Sequence, residues 1–124
     1  MKYARTGAAL AGIGVALGAF GAHGLQGRIT PEFLEIYKIA TWYLMIHALG
    51  LVLFGFSGVK RAWPARCFLG GIGFFSGSLY ALVFTGIRKL GAITPIGGVL
   101  FIAGWIGFAL LLGDREKKPF KTIP

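Results

Sequence analysis

The chain has 124 residues, 56% of them apolar and 14% charged, with 13 Lys/Arg against 4 Asp/Glu. Soluble domains run nearer about 45–50% apolar and about 25% charged. A mean hydropathy of +0.73 excludes a disordered chain and argues against an ordinary soluble domain. The formal charge of +9 does not mark a nucleic-acid binder, because the basic residues sit between apolar stretches.

Four stretches free of Asp, Glu, Lys and Arg follow one another along the chain: residues 6–27, 39–59, 67–87 and 90–113. Crossing about 30 Å of hydrocarbon takes roughly 20 apolar residues at about 1.5 Å of helical rise each. Each stretch is long enough, and none shows the short apolar–polar alternation of a membrane β-barrel. The reading is an all-α, integral membrane four-helix bundle with short loops and both termini on one side. Helices are expected near 5–23, 31–58, 66–87 and 95–113.

The first span follows the basic start Met1-Lys2-Tyr3-Ala4-Arg5, and Ala19-Phe20-Gly21 offers the small residues of a cleavage site. Its uncharged stretch is longer than a signal core and filled with small packing residues, so it reads as a retained span. The second helix begins with Thr30-Pro31-Glu32, which supplies an N-cap, a proline for the first turn and an acid near the positive dipole end. From Pro31 to Gly58 it would run roughly 40 Å, more than the hydrocarbon needs. Residues 31–38, with Glu32, Glu35 and Lys38, are therefore read as an interfacial extension, leaving 39–58 as the span; Trp42 and Tyr43 mark the boundary. Thr94-Pro95 repeats the cap-plus-proline start for the fourth helix, and Gly58 and Gly113 fall where helices are expected to stop.

The N-terminus, the 59–66 loop and the tail from residue 114 to 124 hold nine of the 13 Lys/Arg. Arg28, Lys38, Arg88 and Lys89 make up the other side. The positive-inside rule then places both termini in the cytoplasm, with the basic tail a topology and lipid-surface signal.

Twenty-one glycines are far above the roughly 7% norm. In lipid the backbone has no other hydrogen-bond partner, so helices form despite them, and the missing side chains let helices approach closely. Gly14 and Gly18 in the first span, Gly73 and Gly77 in the third and Gly107 in the fourth lie on small-xxx-small faces and are assigned to helix packing. Pairing within the chain is favoured over pairing between chains. No internal repeat links the two halves, which removes support for an inverted-repeat transporter.

No acid and no Lys/Arg lies mid-span, whereas ion-coupled transporters usually place a carboxylate there. Cys67 is alone, so no disulfide forms within the chain. No catalytic, phosphate-binding or metal motif is present; the two histidines lack further ligands, so no metal and no cofactor is expected. The candidate polar cluster is His23, His47, Ser76, Ser78, Tyr80 and Trp105, with Thr85 and Cys67 beyond it. His47 and Tyr80 each lie about eight residues, roughly 12 Å, inside the outer boundary, which makes a contact between them plausible. Ser76 is one turn below Tyr80, and His23 ends the first span between two glycines. Two readings stay open: polar glue between helices at about 1 kcal/mol per bond, or an outward-opening pocket that binds a ligand or relays a proton, faced by both histidines.

Phe20-Gly21-Ala22-His23-Gly24-Leu25, Tyr43 with His47-Ala48-Leu49, Phe75-Ser76-Gly77-Ser78-Leu79-Tyr80, Thr94-Pro95-Ile96-Gly97-Gly98 and Gly104-Trp105 occur in this order. Together they resemble the small YgdD-type inner membrane protein family, itself similar to a transmembrane protein of animal mitochondria. The likeness runs from about residue 7 to 112. It implies a compact multi-span protein of bacterial inner membranes and a domain of unknown function. It draws His23, His47, Ser76, Tyr80, Pro95 and Trp105 together as motif residues.

The functional expectation is a non-enzymatic accessory or scaffold subunit, or a bundle that binds lipid or a small ligand. Its partners would be the bilayer and either further copies of itself or a larger membrane complex, not nucleic acid. Two alternatives are weighed: a small oligomeric channel or transporter for a neutral solute passing His47 and Tyr80, and a membrane-face enzyme using His23 or His47. The enzyme ranks last, since no paired carboxylate or activated nucleophile accompanies the histidines.

Overall fold

The structure, a computed structural model, describes residues 1–116, and these are entirely helices and short connections. Four helices are long and apolar enough to cross a membrane. We label them α1 (Lys2–Leu25), α2 (Pro31–Ser57), α3 (Trp63–Thr85) and α4 (Thr94–Glu116). A single 3-10 turn, Arg88–Ala92, links the last two. Most of the expected basic tail, residues 117–124, lies outside the described residues.

Local chemistry explains most helix ends. Thr30 caps α2, its Oγ1 accepting from Phe33 N–H at 3.2 Å, with Pro31 in the first turn. Gly58 (φ +75°) and Gly86 (φ +74°) take the left-handed conformation that closes α2 and α3. Helix α3 starts at Trp63, ahead of the expected residue 66, because Pro64 fits the first turn, where no N–H is needed. Two expectations change. Thr94 is not a cap: it is the first residue of α4, and its hydroxyl goes to Ser78 instead. Gly113 does not stop α4, which runs on to Glu116, since a glycine permits but does not compel a helix to end.

Two helices contain a wide π turn. Gly21–Leu25 extends α1 past His23, and Ile72–Gly77 interrupts α3. A π turn inserts one residue, so every later side chain is rotated relative to an uninterrupted helix.

The helices run antiparallel, with contacts set by glycine. Gly55 on α2 lies against the Ala4 backbone, Gly14 against Met45, and Gly21 against Tyr37, which fixes the α1–α2 register. Gly97 lies against the Phe75 backbone, Gly104 against Phe68 and Gly107 against Trp63, which fixes α3–α4. The starts of α1 and α3 and the ends of α2 and α4 therefore share one end of the bundle. Helix α1 rests almost wholly on α2, while α2, α3 and α4 pack on one another. Near the shared end the core is Leu51, Phe54, Ala65, Phe68 and Phe108; near the other it is Leu25, Tyr37 and Val83.

The packing glycines divide. Gly14 and Gly107 are buried in seams, and Gly18 lies 3.8 Å from Thr41 Cγ2 by its would-be Cβ. Gly73 and Gly77, assigned to a seam from sequence, are exposed, and no other helix stands against them. Both lie in the π turn of α3, which swings them outward, and Gly71 faces Gly97 and Phe101 in their place.

Candidate functional site

The centre of the bundle is built on α2. Tyr37, Ala40, Leu44, His47, Leu51 and Phe54 recur at alternating steps of three and four residues, and all six are buried. That spacing keeps one face of the helix toward its neighbours. His47, 3% exposed, lies on this face between α2 and α4.

Both nitrogens of His47 are engaged. Nδ1 lies 2.7 Å from the carbonyl oxygen of Tyr43, one turn earlier, and Nε2 accepts from the Trp105 indole N–H at 2.9 Å. A carbonyl can only accept and an indole N–H can only donate, so the imidazole is the neutral form with its proton on Nδ1. Phe101 stacks on the ring with centroids 3.5 Å apart, and Phe68 meets its edge at 5.6 Å. No lone pair is left for a metal while these contacts hold.

The remaining candidates form separate pairs. Tyr80 Oη lies 2.6 Å from Thr41 Oγ1, and Thr41 also donates to the Tyr37 carbonyl at 3.1 Å. The contact suggested by matched depth, His47 to Tyr80, is not made: the two lie on different hydrogen-bond pairs about one and a half turns apart along α2. Ser76, 1% exposed, donates to the Ala40 carbonyl at 2.7 Å. Ser78 donates to the Phe75 carbonyl at 3.0 Å and lies 2.7 Å from Thr94 Oγ1, tying α3 to the start of α4. Thr85 donates to the Ala81 carbonyl at 2.6 Å.

His23 does not join His47. It is exposed on the π turn of α1, beside Gly21, which packs on Tyr37. Tyr37 precedes His47 by ten residues, about 15 Å along the helix. Cys67 is half-buried beside Gly104. Among the described residues no three His, Cys, Asp or Glu side chains gather to hold a metal.

Three polar residues lie outside the candidate cluster drawn from the sequence. Thr41 is the partner of Tyr80. Tyr37, 1% exposed, donates to the Leu17 carbonyl at 2.5 Å and so ties α1 to α2. Tyr43 supplies the carbonyl that orients His47. The signal for the first two was available, since Tyr37 and Thr41 lie one turn apart on the face that carries His47.

A groove of about 400 Å³ lies beside His47, walled by Trp42, Tyr43, Phe75, Phe101 and Ile102. Among the described residues no buried side-chain nitrogen or oxygen lacks a hydrogen-bond partner. Internal polar pairs inside four apolar spans define a multi-span membrane protein whose polar groups join helix to helix.

Comparison with known proteins agrees with that class. Residues 17–98 match the family described as "Protein of unknown function (DUF423)". The chain is 51% identical over 104 residues to a UPF0382 membrane protein of Staphylococcus aureus (strain bovine RF122 / ET3-1), covering 81% of this chain and 85% of the relative. It is 48% identical over 106 residues to UPF0382 membrane protein YwdK of Bacillus subtilis (strain 168), covering 81% and 86%. The chain belongs to the DUF423 family, whose relatives are UPF0382 membrane proteins. No solved structure matches it.

Proposed function

We propose that this protein is a non-enzymatic helical bundle of the bacterial inner membrane, an accessory or scaffold subunit that offers its outer faces to lipid or to partner helices. It belongs in this reading to the YgdD-type branch, with both termini in the cytoplasm as the nine-to-four distribution of Lys/Arg indicates. The observation that carries it is that the polar groups are satisfied in separate internal pairs: His47 has both nitrogens committed, and Ser76, Ser78 and Tyr80 are each bonded within the bundle. Groups held this way join helices and are not poised for proton transfer or solute coordination.

The channel alternative requires polar groups free to face a solute path, and those of His47, Ser76, Ser78 and Tyr80 are each engaged with another group of the bundle. A small apolar ligand in the aromatic groove beside His47 is compatible with the scaffold reading. Reconstitution separates these readings. Liposomes containing the protein are expected to pass small neutral solutes no faster than empty liposomes, and His47→Ala is expected to lower thermal stability without changing flux. Flux above the empty control that disappears in His47→Ala would overturn the proposal in favour of a transporter.

A further inference from the structure

Trp105 borders a second groove. Below the His47 contact, toward the end of the bundle where α2 and α4 finish, a groove of about 400 Å³ runs between these helices, lined by Leu53, Ser57, Trp105, Phe108, Ala109 and Leu112. From Trp105 to Leu112 it follows two turns of α4, about 10 Å, much of the depth of one leaflet. Leu53 and Leu112 are exposed. The single hydroxyl in the lining is already used: Ser57 Oγ donates to the Phe54 carbonyl at 2.7 Å and accepts from Val59 N–H at 3.1 Å. The lining therefore suits hydrocarbon.

The mouth has the opposite character. At Ser57 the chain leaves α2, turns at Gly58 and presents Lys60 and Arg61, both exposed, before Trp63 seats on Gly107 of α4. The loop thus crosses from α2 toward α4 at the Ser57 end of the groove. Lys2, Arg5 and Arg66 are exposed at the same end, and Asp114 is the single acid among the side chains described there. None of these cations is in an ion pair; the ion pair among the described residues, Glu32 with Arg88, lies at the other end.

We propose that this groove seats one anionic phospholipid, an acyl chain lying between α2 and α4 and the phosphate held at the mouth by Lys60 and Arg61. Charge complementarity decides the occupant. An apolar partner helix would leave the cations without counter-charge, and a zwitterionic lipid would bring its own ammonium group toward them. Each basic side chain near an anionic membrane surface is worth about five-fold in binding, so two give roughly twenty-five-fold preference for anionic over zwitterionic lipid. The proposal goes beyond the scaffold reading and does not depend on it.

Native mass spectrometry of the full chain with equimolar phosphatidylglycerol and phosphatidylcholine tests it. The wild type is expected to retain one phosphatidylglycerol with a preference of roughly twenty-five-fold. Lys60→Gln/Arg61→Gln is expected to bring the two lipids to parity. Ala109→Trp, which fills the groove and keeps every charge, is expected to abolish retention. Equal retention of both lipids by the wild type overturns the proposal, and so does an undiminished preference in Ala109→Trp, which would assign the effect to surface charge alone. Should Ala109→Trp not fold, quenching of Trp105 in the Trp42→Phe/Trp63→Phe variant by lipids with brominated chains replaces it. Stronger quenching by the brominated phosphatidylglycerol is expected, and equal quenching overturns the site. Neither outcome bears on solute flux, so the scaffold reading stands or falls separately.

Discussion

Trp105 on α4 donates its indole N–H to Nε2 of His47 on α2 across 2.9 Å, and this is the hydrogen bond by which the fourth helix grips the second at mid-bundle. Gly50, one turn below His47, makes room for it: its would-be Cβ stands 3.1 Å from the edge of the Trp105 ring. The pair is a donor–acceptor match with no spare valence. Removing either partner leaves a polar atom without water to turn to.

Trp105→Phe is therefore expected to destabilise the protein by about 1 kcal/mol for the lost bond, and more where the freed His47 nitrogen stays buried. Thermal unfolding in detergent reads the loss. A variant as stable as wild type would show that the indole N–H contributes nothing.

The separation of the two polar pairs makes a sharper prediction. Tyr80→Phe leaves Thr41 with its second partner, the Tyr37 carbonyl, and should cost about 0.5 kcal/mol. Combined with Trp105→Phe, its effect should add within about 0.5 kcal/mol, as for sites without a shared partner. A double-mutant cycle with larger coupling would point to a connected His47–Tyr80 network.

Glycines of equal chemistry should respond in opposite ways. Gly97→Ala drives a methyl into the backbone of Phe75, and Gly55→Ala drives one into the backbone of Ala4; neither neighbour can rotate aside. Each should cost about 1–3 kcal/mol, the usual range for overpacking. Gly12→Ala and Gly73→Ala meet nothing within 4 Å and should be neutral or slightly stabilising. Melting temperatures of the four variants in one detergent provide the comparison, and a uniform loss across all four would refute the assigned seams.

The topology is open to direct labelling. Membrane-impermeant reagents applied to intact cells are expected to miss cysteines introduced at both ends of the chain and to reach one placed at Arg28 or Lys89. Labelling of either terminus from outside would reverse the orientation drawn from the Lys/Arg distribution.

Much of this architecture can be read from the chain itself, because in hydrocarbon a backbone must satisfy itself and a helix is the local way to do so. The gaps between charges give the four spans, Thr30-Pro31 gives the start of α2, and Gly58 gives its end. The step of three and four from Tyr37 to Phe54 marks the face that carries His47. Partner choice is different in kind. Rotation about the axis is not additive in sequence once a π turn intervenes: Gly73, expected in a seam, is exposed on the turn at Ile72–Gly77, while Gly71 packs on Phe101. Tyr80 meets Thr41 for a different reason, depth: Glu32 at the start of α2 pairs with Arg88 just beyond α3, which leaves His47 about 9 Å deeper than Tyr80. Thr94 meets Ser78 instead of capping its own helix.

The way α1 lies along α2, pinned by the Tyr37 hydroxyl on the Leu17 carbonyl, bears on how the molecule is made. Its contacts join neighbours in the sequence, so the first hairpin can zip up as soon as the ribosome has delivered residue 57, before the third crossing has emerged. The later hairpin then docks onto a partner already in place. Order of synthesis and order of assembly coincide, and unpaired glycine-rich surface is exposed to the surrounding lipid for the shortest time.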